Sequence, residues 1–218
     1  MRRIVLFVAV LFWAGSAHAI GLGVTGKAGS LGIGVEVTKS LIPHVNIRGG
    51  LNFLNYAFDQ TEGGNDYDFD LKLKSFSILA DLHPIPGRGL RLSGGIIFNS
   101  NHLDMVSVAS GSYSIGNRTY TGAEVGTLNG TVDFKSTAPY FGIGWGNATS
   151  GRFGLALDLG VVLQGTPQVS LTATGLVTSD PTFVQELNRE VQELENDIGE
   201  FKYYPVISLG LSLNLGVR

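Results

Sequence analysis

The sequence predicts an all-β fold, a closed antiparallel eight-stranded transmembrane β-barrel of the outer-membrane type with a short amphipathic helix in its last extracellular loop. Three observations predict it. Apolar residues alternate with small or polar ones over segments long enough to cross a bilayer as strands. No window after residue 19 holds eighteen consecutive apolar residues, so a helical span is excluded on length. The N terminus reads as an export signal, with Arg2 and Arg3, an apolar run over 4–13 and the small-x-small triplet Ala17-His18-Ala19.

Residues 1–19 are therefore expected to be a cleaved signal peptide, and 20–218 a single barrel domain in the outer membrane of a Gram-negative bacterium. Without Arg2 and Arg3 the chain keeps 13 basic residues against 18 acidic, a net charge of about −5, which disfavours nucleic acid as a partner. There is no cysteine, so disulfides and thiolate metal sites are unavailable.

The strand over 152–163 is the clearest. Phe153, Leu155, Leu157, Leu159, Val161 and Leu163 share one parity, against Gly154, Ala156, Asp158, Gly160 and Val162 on the other. Segment 204–215 repeats the pattern, and 31–39, 45–56, 89–101 and 138–146 behave alike. Segment 69–83 also alternates, but its apolar parity switches near Lys74 and Ser75, which reads as a β-bulge at the rim. A closed antiparallel barrel with both ends on one side needs an even number of strands, so the weakly alternating 21–27 supplies the eighth, joined to the next by a tight hairpin at Ala28-Gly29-Ser30. The turns around 41–44, 84–89 and 147–151 are then short and share one side. The long connections 59–68, 103–137 and 164–200 fall on the other, as periplasmic turns and extracellular loops do. At the C-terminal end, Ser208-x-Gly210-x-x-Leu213-x-Leu215 resembles the signal read by the barrel assembly machinery, without the usual terminal aromatic.

The inward parity carries Glu36, Arg48, Asp81, Arg91 and Asp158. A lipid-facing Arg near the midplane costs about 2 to 4 kcal/mol, so these charges belong in the lumen. An eight-stranded barrel barely holds its own side chains. The charges either form a buried ion-pair network that fills the interior, or they constrict a narrow polar path for small zwitterions. Interlocked, they plug the barrel; on opposite walls with a gap between them, they let it conduct.

Phe183, Leu187, Val191, Leu194, Ile198 and Phe201 recur at helical spacing, with Ser179 or Asp180 able to cap and Pro181 at the first helical position. The resulting helix over 181–201 has an acidic face of Glu186, Glu190, Glu193, Glu195, Asp197 and Glu200 against Arg189. Either its apolar stripe packs on the barrel top and the acids are solvated, or they join Asp59, Glu62, Asp66, Asp68 and Asp70 in an acidic extracellular rim. Such a rim would steer cations or bridge through divalent ions to lipopolysaccharide phosphates.

The triplet Gly21-x-Gly23-x-x-Gly26 matches a dinucleotide fingerprint, but no helix follows it. The Asn-x-Thr acceptors at Asn117, Asn129 and Asn147 are inert in a bacterium. His102, near Ser100 and Asp104, lacks evident oxyanion donors and a Ser–His hydrogen bond. No catalytic, cofactor or metal site is expected, and the chain does not read as an enzyme. Tyr56, Phe58, Trp145, Tyr203 and Tyr204 read as interfacial girdle or lumen-rim aromatics.

Three segments carry a family resemblance: Ala138-Pro139-Tyr140-Phe141-Gly142-Ile143-Gly144-Trp145, Gly160 with Gly165-x-Pro167-x-Val169-x-Leu171, and, after an acidic helix, Pro205-Val206-x-x-Leu209-Gly210-Leu211. Together they resemble the C-terminal half of the CarO-like family, the carbapenem-susceptibility or ornithine-uptake outer-membrane porins. The resemblance implies an eight-stranded barrel with a bulky extracellular part, and passage of small, often basic, amino acids and some antibiotics. Two functions stay open: a narrow porin for small solutes such as amino acids, or a non-conducting structural or adhesion barrel whose extracellular loops bind lipopolysaccharide or a partner.

Overall fold

The computed structural model describes residues 21–62, 65–85, 87–108 and 111–216; the segment expected to be an export signal and the last two residues lie outside the described residues. The strands are β1 (Leu22–Gly29), β2 (Gly32–Ile42), β3 (Val45–Glu62), β4 (Asn65–Leu82), β5 (Leu90–Asn99), β6 (His102–Val108), β7 (Ser112–Ile115), β8 (Arg118–Thr121), β9 (Thr127–Asp133), β10 (Thr137–Trp145), β11 (Phe153–Leu163), β12 (Gln168–Ala173) and β13 (Tyr203–Asn214). Two helices join them, α1 (Gly122–Val125) and α2 (Pro181–Asp197).

Eight of the described strands close an antiparallel barrel in the order β1-β2-β3-β4-β5-β10-β11-β13, sealed by β13 against β1. Alternation explains why these segments are strands and which way they face. Ile33, Val35, Leu51, Phe53, Leu155, Ile207, Leu209 and Leu211 point outward and are exposed, Leu211 at 70%. So continuous an apolar belt is far larger than the patches that water-facing surfaces tolerate, and it matches a hydrocarbon surround. The inward parity is small or polar. Many of its glycines are sites where a side chain crosses the lumen: a Cβ at Gly50 would lie 2.9 Å from Glu36 Cγ, and one at Gly144 2.8 Å from Arg91 Nε.

The parity switch near Lys74 has a different origin from the bulge expected there. The β3–β4 ladder runs from Val45↔Leu82 to Glu62↔Asn65 without a register shift, and the irregularity among the barrel's short turns lies instead between Ser40 and Ile42 at the end of β2. What changes at Lys74 is the solvent. Below it, the outer face meets lipid and the inner face is polar, with Ser75, Ser77 and Asp81 buried. Above it, β3 and β4 rise past the barrel, and β6, β9 and β12 extend the sheet from the upper edge of β4. There the inner face is apolar, with Tyr67, Phe69, Met105, Leu128 and Leu171. The outer face is polar, with Asp66, Asp68, Asp70, Lys72 and Thr131, because water replaces lipid.

The three long connections are thus mostly ordered structure. Residues 59–62 and 65–68 belong to the upper ends of β3 and β4, the described part of 103–137 holds β6 to β9, and 164–200 hold β12 and α2. The β7–β8 hairpin and α2 cover the inner face of the extension and bury Tyr113, Ile115, Val125, Leu128 and Phe183. Phe183 meets Tyr120 edge-on at 5.1 Å. Asp180 caps α2 by accepting the Thr182 N–H at 2.8 Å, with Pro181 inside the first turn. Asp180→Ala should cost α2 about 1 kcal/mol, read as faster hydrogen exchange at the amides of its first turn.

Candidate functional site: the lumen

The structure brings Glu36 on β2, Arg48 on β3, Asp81 on β4, Arg91 on β5 and Asp158 on β11 into one cluster in the periplasmic half of the lumen, each no more than 4% exposed. Several of their cross-strand partners are small, which leaves room for long side chains: Glu36 lies opposite Gly50 and Thr25, Asp81 opposite Ser93 on one side, and Asp158 opposite Gly144 and Ser208.

Arg48 is the hub. Its Nη1 donates to Glu36 Oε2 at 2.9 Å and to Asp158 Oδ2 at 3.3 Å, and its Nη2 donates to Asp81 Oδ1 at 3.1 Å. Its Nε lies 3.0 Å from Asp81 Oδ2 but off the line of its N–H, so that contact is an ion pair without a hydrogen bond. Arg91 Nη2 donates to the other oxygen of Asp158 at 2.7 Å, while its Nη1 donates to the Gly146 carbonyl at 2.7 Å. Ser93 donates to Asp81 at 2.6 Å, and Ser208 to Asp158 at 3.3 Å.

Two participants are absent from the sequence-level set. Lys27 Nζ reaches Glu36 Oε1 at 2.6 Å and completes a set of three cations and three carboxylates. Its signal was available, since Lys27 shares the inward parity of Thr25 on β1 and sits one inward step from Glu36. Tyr140, 2% exposed, lies in the lumen above the charges, its ring laid along the β10–β11 wall. A Cβ at Gly142 or Gly160 would fall 2.4 or 2.5 Å from its hydroxyl, so the ring occupies the space those glycines leave. Around it pack Leu31, Leu79, Ile97, Ala138, Val162 and Val206. A polar tier follows, where Asn99 donates to Gln164 at 3.3 Å and Gln164 to the Phe201 carbonyl at 2.9 Å.

The charges interlock and no gap separates them. Above and below Arg48 the lumen holds voids of about 10 Å³ each, the space of one water. At the end with the short turns, an open cavity of about 730 Å³ runs around the rim, bordered by His44, His83, Arg88 and Asn147 and by the outward-facing Trp145 and Leu155. His83 is buried there, and neither ring nitrogen has a partner among the described residues.

The acidic residues of the extracellular part do not form one rim. Asp66 and Asp68 are exposed on the outer face of β4, with Asp66 accepting from Thr61 at 2.7 Å, and Glu193 is exposed on α2. Glu186 is buried, and its carboxylate accepts the Asn117 N–H at 2.8 Å; Glu190 accepts the Gly116 N–H at 2.9 Å. These two acids pin the β7–β8 turn to the helix, because a turn's outward N–H groups need acceptors once covered. Glu195 does the same for the Val169 N–H at 3.1 Å.

His102 Nε2 lies 3.6 Å from Asp104 Oδ2. That carboxylate is engaged by Lys72 at 2.9 Å, which holds it below the usual carboxylate range. Tyr56 and Phe58 sit on the inner face of the extension, stacked toward Phe69, and Tyr204 donates to the Ser30 carbonyl at 2.5 Å inside the barrel wall; neither group forms a girdle. Trp145 and Tyr203 do face outward.

No protein-family model matches the sequence, and no curated protein matches it. Among solved structures, Acinetobacter baumannii CarO is similar at a TM-score of 0.59 and 23% identity, over 88% of this chain and 96% of that one. Acinetobacter baumannii CarO2 is similar at a TM-score of 0.58 and 21% identity, over 88% and 97%. The likeness noted for the C-terminal half thus extends, as fold, to most of the chain: the closed eight-stranded barrel with its tall extension is the fold of CarO and CarO2.

Proposed function

We propose that the protein is a narrow, normally closed channel for small zwitterions such as amino acids. The observation that carries this reading is the charge balance of the plug: Lys27, Arg48 and Arg91 against Glu36, Asp81 and Asp158, buried and mutually paired. A solute of one sign entering it would leave a buried charge without a partner, at a cost of several kcal/mol. A zwitterion exchanges pair for pair, its ammonium meeting Asp158 or Glu36 as its carboxylate meets Arg48. The water-sized voids mean that passage waits on movement of the plug, so turnover is slow.

Solute flux into liposomes carrying the refolded protein tests this, with glycine, ornithine and a neutral sugar compared. Glycine should enter faster than the sugar and faster than into empty liposomes. The Arg48→Ala, Arg91→Ala double variant should raise total flux and lose the preference. A folded protein that passes no glycine would instead favour a non-conducting barrel whose extracellular part does the work. The interlocking of the charges without a gap, the apolar layer around Tyr140 and the tall extension are the features that support that second reading.

A further inference from the structure

The extracellular extension encloses a second cavity, separate from the lumen. It measures about 230 Å³ and lies between the inner face of the sheet, the β7–β8 hairpin and α2. The wall that matters is aromatic. Phe69 stacks on Tyr67 at 6.4 Å, and Tyr113 meets Tyr67 edge-on at 6.4 Å and 87°. The Tyr113 hydroxyl is turned away to Ser107 Oγ at 2.9 Å; Ser107 spends its own proton on the Asp66 carbonyl, so Tyr113 is the donor. Its ring is thereby left to the cavity.

Three polar residues also line the cavity: Glu190, Gln60 and Ser114. The Glu190 carboxylate uses Oε2 for the Gly116 amide, and no Lys or Arg among the described residues pairs with it. Gln60 and Ser114 are exposed and border the mouth. A half-buried carboxylate lacking a cation, set beside the negative faces of tyrosine and phenylalanine rings, is a site whose charge is compensated from outside. The volume is below the roughly 300 Å³ of the smallest drug-sized pockets, which fits a body of one ring.

We propose that this cavity binds a small organic cation, an ammonium on a short arm from an aromatic or branched apolar body. The ammonium pairs with Glu190 and the body lies against Tyr67, Phe69 and Tyr113. Asp66 and Asp68 stand on the opposite face of β4 and contribute attraction at a distance only.

The test uses 2-phenylethylamine as the probe, titrated by saturation-transfer NMR against the refolded protein in detergent, with empty micelles as the blank. Phenylacetate has the same ring with the opposite charge, and ethylamine the charge without the ring. Saturable binding of phenylethylamine is expected, with both analogues at least tenfold weaker. Glu190→Gln keeps an acceptor for the Gly116 amide but removes the charge, and it should weaken binding at least tenfold. Gln60→Trp fills the cavity from an exposed position on the inner face of β3, leaves Glu190 in place and should abolish binding. No saturable binding above the blank, equal binding of phenylacetate, or unchanged affinity in Glu190→Gln or Gln60→Trp, each in protein that keeps its folded electrophoretic mobility, would overturn the assignment. Flux through the lumen is a separate readout, so neither result decides the other.

Discussion

Arg48→Met should lower the unfolding free energy by about 3 to 5 kcal/mol, the cost of leaving buried charge without its partner. Among the described residues, Arg48 is the one cation that touches Glu36, Asp81 and Asp158 together. Lys27 still serves Glu36 and Arg91 still serves Asp158, but Asp81 keeps only the Ser93 hydroxyl. Methionine restores apolar volume and does nothing for the carboxylates, so the electrostatic loss outweighs the desolvation it saves. Urea unfolding of the refolded barrel measures the difference. Adding Asp81→Asn to Arg48→Met should recover a large part of it, because the uncompensated charge is then gone while its hydrogen bond to Ser93 survives. A single variant as stable as the parent would mean that water already neutralises the cluster, and that the plug is not held by its ion pairs.

Tyr140→Ala should cost a similar amount, about 3 to 5 kcal/mol, for a different reason. The ring is buried at 2% exposure against Leu79, Ile97, Val162 and Val206, and the barrel wall around it cannot collapse, since eight paired strands set its diameter. Gly142 and Gly160 lie directly beneath the ring, so alanine leaves the space open. The vacated volume joins the void above Arg48 to the tier of Asn99 and Gln164, and glycine flux should rise above that of the parent. Tyr140→Phe keeps the ring and should leave stability and flux near the parent values. A Tyr140→Ala barrel that is destabilised without any gain in flux would place the limiting barrier in the charges alone.

Arg48→Met and Tyr140→Ala separate the two halves of the plug, and they also mark how far the sequence could be read. The inward position of Glu36, Arg48, Asp81, Arg91 and Asp158 followed from parity, because each barrel strand has one face in lipid and a charge there is too costly. Seven of the eight strands followed from the same alternation, and the eighth, over 21–27, from the even number that a closed barrel needs. The short turns followed because neighbouring strands in such a barrel are consecutive in the chain. The helix starting at Pro181 was written locally, in its cap and its apolar spacing.

Which charges touch was not written locally. Arg48 and Asp158 are 110 residues apart and meet only because the barrel closes. Lys27 enters the cluster because β1 pairs with β2 in one register. The inversion of faces above Lys74 depends on a cover built from β6 to β9, β12 and α2, and a two-residue alternation cannot say whether the solvent beside it is lipid or water. Glu186 and Glu190 looked like solvated acids because their partners, the amides of Asn117 and Gly116, lie on another loop. The sequence by itself determined the barrel, its strand count and the inward set of charges, since each rests on a local preference for one of two solvents. The tertiary structure alone decided that those charges interlock, that Tyr140 closes the space above them and that the helix acids pin a turn, since each is a contact between segments that meet only once the chain has folded.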